Sequence, residues 1–515
     1  MKEMKDYLIG VDIGTTSTKA VLYDAKGNVK GYANKEYPLY QEVPDMAEQD
    51  PDEIFETVID VLTAVVRKSG ADVTRIAGVS FSSAMHSLIL LDQEKQLLTR
   101  CITWADNRAY HQAEELKNHK DGLAIYHRTG TPIHPMSPLS KILWLKKEQP
   151  ELIAKTAHFI GIKEYVFYKL FGQFKVDISI ASATGLFNIH QLDWDQEVLA
   201  LLDISVDQLS QLVETDYQVT GLNESYAEVI GLPVETPFIV GASDGCLSNL
   251  GVNAIDGKTL ALTIGTSGAV RMVTDKPVTD PKGRTFCYAL TKDKWVIGGP
   301  VNNGGIVFRW VRDQLFAPEK ITAEQMQVDS YEILTQIAEK IPAGSDGLLF
   351  HPYLGGERAP LWDANAKGAF LGLTTRHTRA HMVRASLEGI VFNLYSVMLI
   401  LEELVERPER IHATGGFARS ALWRQLLADI FEQEVSIPES YESSCLGAAV
   451  IGMESLGLID SIEEVSKMIG VTNQHTPNEA HFPVYRELLP IFIRTTRLLQ
   501  NEFQAIADFQ RKYSK

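Results

Sequence analysis

Apolar residues recur along this chain in two alternating rhythms, short runs of strand length and longer stretches at helical spacing. "DYLIGVDIG" (6–14) is a short apolar run that predicts a strand. "STKAVLYDAKGNVKGYANKEY" (17–37) predicts two strands joined by a turn at Ala25-Lys26-Gly27-Asn28. In "DPDEIFETVIDVLTAVVRKSG" (50–70), Ile54, Val58, Leu62 and Val65 share one helical face. Asp50 is the expected N-cap, Pro51 suits the first helical position, Glu53 completes a capping-box pattern, and Gly70 is the expected stop. "RIAGVSFSS" (75–83) predicts a further strand, with "SLILLD" (87–92) a candidate neighbour.

The same order returns later. "KTLALTIGTSGAVRMVTDK" (258–276) predicts strand, Gly-Thr turn, strand, and "TFCYALTKDKWVIGGP" (285–300) predicts a hairpin, with helices from about residue 303. "VDIGTTSTKAV" (11–21) and "LTIGTSGAV" (262–270) read as two copies of one hairpin, with Asp12 in the first where the second has Thr263. A repeat of this length implies a duplicated α/β unit with a boundary near 251–258, each copy offering backbone N–H groups from its turn. "GVNAIDGKT" (251–259) mimics a phosphate loop but has five residues between its glycines where the motif has four, so it reads as the connection.

A length of 515 residues suits two to four domains. The formal charge of −17 disfavours nucleic acid as a partner, yet leaves room for a small anion held by local N–H groups. Four cysteines, none in a CxxC pair, predict a reduced, cytoplasmic protein. No secretory signal is expected in "MKEMKDYLIGVDIG", and no membrane association, since the best apolar run, "LYSVMLILEELVE" (394–406), is short and ends in acids.

Five stretches in order resemble the FGGY family of carbohydrate kinases, within the actin, hexokinase and Hsp70 superfamily. They are the turn at Asp12–Lys19, "MSPLSKILWLKKE" (136–148), "PYLGGERAP" (352–360), "GAFLGLTTRHTRAHMVRASLE" (368–388) and "TGGFARSALWRQLLADI" (414–430). The likeness covers roughly 7–455. Within the family, "SSAMHS", "CITWADNRA", "TGTPIHPMSPLSKI", "GIKEY", "ASDG" and "VIGGPVNNGGIV" are most similar to the gluconate kinase branch. Xylulose kinases share the Met-His pair and the Asp-Gly motif.

The resemblance implies an α/β fold of two ribonuclease-H-like domains flanking a catalytic cleft. An N-terminal domain (1–252) would hold the sugar site and the base. A C-terminal domain (253–515), with a helical tail from about 456, would hold the nucleotide. It implies ATP as substrate and Mg²⁺ as cofactor, phosphorylation of D-gluconate to 6-phosphogluconate, small-molecule partners, and compatibility with a homodimer. A xylulose, other pentulose or polyol acceptor is the alternative, and a nucleotide-switched scaffold the distant one.

The residue assignments follow that likeness. Asp12, otherwise a turn-capping acid, would hold Mg²⁺, directly or through water. Gly14, Thr15, Thr16 and Lys19 would contact phosphate from one side, Gly265 and Thr266 from the other, with Lys19 alternatively a solvated strand residue. Gly305, Gly416 and Ser420 would line the nucleotide site. Asp244, otherwise a turn or helix cap, would be the general base. Met85, His86, Trp104, Asp106, Arg108 and Met136 would bind the acceptor, with Asp106 alternatively the N-cap of "NRAYHQAEELK" and His86 a packed residue. The substrate carboxylate needs a cation or donor, in the order Arg108, His86, Lys163, with His134 and Lys141 as further candidates.

Overall fold

The structure, a computed structural model, describes residues 5–439 and 442–513. The first four residues of the N-terminal stretch lie outside them. The chain divides into two compact units, one of 5–256, 273–297 and 442–470, the other of 257–272, 298–439 and 471–513. Compactness thus does not follow the contiguous segments 1–252 and 253–515.

The first unit is built on strands β1 (Tyr7–Ile13), β2 (Ser17–Asp24), β3 (Val29–Glu36), β4 (Ile76–Ser83), β5 (Gln218–Val219) and β6 (Phe238–Ser243), in the sheet order β5-β6-β4-β1-β2-β3. β1, β4 and β6 run parallel, and β2 and β3 continue as antiparallel hairpins. Helix α1 (Pro51–Ser69) buries Ile54, Val58, Leu62 and Val65 against this sheet. Asp50 accepts from the N–H groups of Asp52 and Glu53, and Gly70 closes the helix at φ 61°. The Glu53 carboxylate accepts instead from the Tyr40 hydroxyl at 3.4 Å. The run at 87–92 does not join this sheet: Ile89–Leu91 pairs with His158–Ile160 in a ribbon of its own.

The opposite face of the sheet is covered by helix Ser443–Ser455, which lies close to β1 because Gly10 has no side chain. A Cβ there would sit 2.1 Å from the Cys445 carbonyl oxygen. This packing draws 442–470 into the first unit, although it follows the second repeat in sequence.

The second sheet repeats the pattern. β7 (Thr259–Ile264), β8 (Gly268–Thr274), β9 (Phe286–Ala289), β10 (Trp295–Val301), β11 (Arg410–Thr414), β12 (Val435–Pro438) and β13 (Val471–His475) have the order β9-β10-β8-β7-β11-β12-β13. β7 is antiparallel to β8 and parallel to β11, as β1 is to β2 and β4. Helix Arg379–Leu404 contains most of the apolar run at 394–406 and begins well before it. Its 26 residues are long and apolar enough to cross a membrane by length and composition alone, but 83% of its most apolar stretch is buried, as in a core helix. The amphipathic tail forms helix Phe482–Tyr513, burying Tyr485, Phe492 and Phe503 in the second unit. The four cysteines are buried, and none is in a disulfide among the described residues.

Candidate active site

In the first unit, the carboxyl ends of three parallel strands lie side by side. Asp12 of β1 stands opposite Ser82 of β4, and Ser83 of β4 opposite Ser243 of β6. Asp244 is the residue after β6, so it emerges two strand spacings, about 10 Å, from the end of β1. Ligands of parallel α/β sheets bind at such strand ends.

Asp12 accepts a hydrogen bond from Ser82 Oγ at 2.7 Å. Desolvation raises its pKa, opposed by that bond and by Lys19. Lys19 faces Asp12 across the β1–β2 ladder, with Nζ 2.6 Å from Glu442 Oε2. Burial disfavours the Lys19 charge, but the contacts with Glu442 and then Asp12 outweigh it, so its pKa is raised. The turn between β1 and β2 is closed by Gly14 N–H donating to Ser17 O at 3.0 Å, and the Tyr37 hydroxyl donates to Gly14 O. Thr15 Oγ1 accepts from Trp104 Nε1 at 2.8 Å, which ties the turn to the second acceptor cluster. Thr16 is exposed at the tip.

Met85 and His86 follow β4. His86 has φ 66°, its Nδ1 donates to Ala183 O at 2.7 Å, and its ring meets Tyr288 edge-on at 5.8 Å. Asp106 is fully buried and does not cap the following helix, which begins at Tyr110 after Ala109. It accepts from Ala47 N–H at 2.9 Å and from the backbone and guanidinium of Arg108. Arg108 also reaches Glu48 at 2.5 Å and lies over the Trp144 ring. Its charge is therefore shared by two carboxylates.

Met136 is buried in the loop before Ser137, which caps helix Pro138–Glu148. Lys163 is buried, 2.6 Å from Asp177, and donates to Ala242 O. Lys141 donates to backbone carbonyls. All five candidate partners for a substrate carboxylate have partners within the protein, His134 through Nδ1, which accepts from the Met136 N–H at 3.2 Å. Asp244 opens helix Asp244–Leu250, and its Oδ1 accepts from the Gly245 N–H at 2.7 Å. Ser179 Oγ accepts from the Ser243 N–H and holds the strand end before it.

In the second unit, Gly265, Thr266, Gly305, Gly416 and Ser420 line one cavity of about 750 Å³. Gly305 N–H donates to Gly265 O at 2.7 Å, and Ile306 N–H to Thr266 O. Gly415 (φ 115°) lets strand β11 turn away against Ile264, since a Cβ there would lie 2.1 Å from the Ile264 carbonyl oxygen. Ser420 caps the next helix through Trp423 N–H. The cavity also holds Phe308 and Tyr331, outside the quoted motifs, and Arg419 and Trp423, which lie within 414–430 without a role assigned to them. Phe308 meets Trp423 edge-on at 5.3 Å, and these rings offer the apolar faces that a purine can stack on. Glu357, from the stretch that names the family, is buried beneath the 302–305 loop. It accepts from Asn302 N–H, and from Asn303 and Asn393 side chains.

Among the described residues no group of three or more His, Cys, Asp or Glu side chains is assembled to hold a metal. Mg²⁺ that arrives with a nucleotide needs less, one or two carboxylates plus waters and phosphate oxygens. The desolvated Asp12 carboxylate fits that demand.

Comparison with known proteins agrees over nearly the whole chain. The model of the N-terminal domain of the FGGY family of carbohydrate kinases matches residues 7–251, and that of the C-terminal domain matches 260–456. A protein from Bacillus licheniformis named gluconokinase is 54% identical over 99% of both chains. Two solved structures from Lactobacillus acidophilus, titled gluconate kinase and ligand-bound xylulose kinase, each give a TM-score of 0.92. Each is 40% identical to this chain and covers 97% of it and 99% of its own. The two repeated sheets, the strand-end acids and these likenesses together make the chain a member of the FGGY family of carbohydrate kinases, with the two-domain α/β fold of the actin and hexokinase type.

Proposed function

We propose that this kinase transfers the γ-phosphoryl group of ATP to the 6-hydroxyl of D-gluconate, giving ADP and 6-phosphogluconate. The observation that carries the site is the alignment of Asp12, the Met85-His86 turn and Asp244 at three neighbouring strand ends. The 54% identity to a gluconokinase supports the acceptor.

Asp244 orients the 6-hydroxyl and takes its proton as the new O–P bond forms and the bond between phosphorus and the β,γ-bridging oxygen breaks. The electron pair leaves with ADP. In a loose transition state orientation contributes more than proton removal, because the proton leaves late. N–H and hydroxyl groups of Thr15, Thr16 and Thr266 bind phosphate oxygens, Gly14 and Gly265 shape the turns through their own N–H bonds to Ser17 O and Ser267 O, and Gly305, Gly416 and Ser420 border the nucleoside. Mg²⁺ held through Asp12 would supply charge neutralisation on those oxygens. Trp104, held by Thr15, and Met136 pack on the carbon chain. Asp106 acts by fixing Arg108 and the Ala47 backbone. Arg108, His86 and Lys163, in that order, are the candidates for the substrate carboxylate.

A xylulose acceptor is the second reading, favoured by the equal likeness to the structure titled xylulose kinase. ADP release with Mg²⁺ against D-gluconate, D-xylulose, L-ribulose, glycerol and glucose decides between them. A gluconate response that Asp244→Ala abolishes supports both acceptor and base. A xylulose response keeps the mechanism and discards the acceptor, and acceptor-independent ATP turnover overturns both.

A further inference from the structure

Lys141 has no part in the chemistry above, yet its side chain is fully buried. It projects from helix Pro138–Glu148 and donates from one ammonium to two backbone carbonyls, His86 O at 2.5 Å and Ile102 O at 3.2 Å. The first carbonyl belongs to the left-handed residue of the Met85-His86 turn. The second stands two residues before Trp104.

We propose that Lys141 is a positioning residue that locks the two acceptor loops, 84–88 and 102–108, to one another. The inference rests on the reading that these loops bind the acceptor. The chemistry of lysine suits such a tie, because an ammonium carries three donors on a long flexible stem and one side chain can satisfy two carbonyls of different loops. The loops already share one edge, where Leu88 and Ile102 exchange backbone hydrogen bonds at 3.0 and 2.9 Å. Lys141 adds a cross-tie on the side of the His86 turn. From the Ile102 side, Trp104 carries the order on to Thr15 and the phosphate turn.

A buried charge is costly, and an apolar side chain of similar volume serves a packing role better. Burial pushes the Lys141 ammonium down to about 7, with Asp106 and Cys101 opposing the fall and Arg108 adding to it. The amine is therefore held against a penalty, at a place where it reaches both loops.

The test uses the full-length enzyme with Lys141→Met and Lys141→Arg, read by hydrogen–deuterium exchange and by steady-state kinetics. In Lys141→Met, amides of 84–88 and 102–106 should exchange at least tenfold faster, while those of 265–267 and 416–420 keep their rates. KM for gluconate should rise at least tenfold and KM for ATP stay within twofold, with Lys141→Arg recovering part of the loss. Unchanged loop exchange overturns the proposal, as does a parallel rise of both KM values with faster exchange throughout. Should Lys141→Met not fold, Lys141→Arg decides: a raised KM for gluconate alone supports the lock, and equal or absent shifts overturn it. If the wild type uses no sugar acid, the acceptor reading fails, while the exchange data still judge Lys141.

Discussion

The turns after β1 and after β7 are built on one plan and equipped differently. Each leaves the strand after an isoleucine, Ile13 or Ile264, and each has a polar residue just before it that meets a hydroxyl on the neighbouring parallel strand. In the first turn this is a carboxylate, Asp12 on Ser82 at 2.7 Å; in the second it is a hydroxyl, Thr263 on Thr414 at 3.2 Å. The turns themselves differ by one residue, Ile13 pairing with Thr18 and Ile264 with Gly268, and the carboxylate stands in the first only. A single divalent ion needs one anchor, and a second carboxylate would repel the phosphates it faces. On the proposed reading both turns face phosphate, and the acid at Asp12 together with the extra turn residue sets the first apart.

The sharpest way to break this comparison is to alter the two anchors separately. Asp12→Asn keeps the shape and removes the charge, and should lower kcat by roughly 10²–10³-fold. Thr263→Val should cost less than about tenfold, the scale of one neutral hydrogen bond. Equal losses in the two variants, measured as ADP release over a Mg²⁺ titration, would show that the turns are not unequal in the way described.

A second contrast lies among the glycines of the nucleotide cavity. Gly415→Ala forces a Cβ into the Ile264 carbonyl and should destabilise the second unit by about 2 kcal/mol or more, seen in thermal melts. At Gly265 the nearest atom to an added Cβ is 3.9 Å away, and at Gly416 nothing lies within 4 Å. Alanine at either should keep Tm yet raise KM for ATP severalfold if nucleotide comes close to these backbones.

Lys19 offers a smaller test within the first turn. Glu442 holds its ammonium, so Glu442→Gln should free it and lower KM for ATP about two- to threefold, while Lys19→Met should raise it. Opposite or absent shifts would assign Lys19 to the strand surface alone.

The smallest effects concern pH, where one buried group of each unit acts with opposite sign. In the first unit, burial pushes Glu164 up to about 7, against the bonds from Ser210 and the Gly161 N–H. Its contribution is present below the unfolded value near 4.5 and is lost as pH rises through about 7. In the second unit, burial lowers His351 to about 4, where it lies between Thr495 and Thr496. Its contribution is present above 6.5 and is lost as pH falls toward 4. Glu164→Gln and His351→Asn should therefore flatten opposite limbs of the Tm–pH curve, and matching slopes would refute the assignment.

Much of the fold was legible because its signals are local. Asp50, Pro51 and Gly70 bracket α1 through bonds and dihedrals within a few residues, and the two hairpins announce themselves by matched turns. The strand at 87–92 pairs outside the main sheet, since an apolar run specifies a strand but not its neighbour. Asp106 is open between cap and ligand on sequence grounds, and only the burial beside Ala47 and Arg108 shows it as a brace. The aromatic lining at Phe308 and Tyr331 lies outside the quoted motifs, and Trp423 lies within one without a role assigned to it, because stacking surfaces arise where distant helices converge.

By itself the sequence determined the repeated turns, the strand-end acids Asp12 and Asp244, the limits of α1 and the family. Tertiary structure alone decided which charges are engaged. Glu442 lies 423 residues from Lys19, Glu48 lies 60 from Arg108, and Lys141 lies 55 from the His86 carbonyl it holds. Charge pairing and desolvation depend on distance through space, and no local pattern of residues encodes that distance.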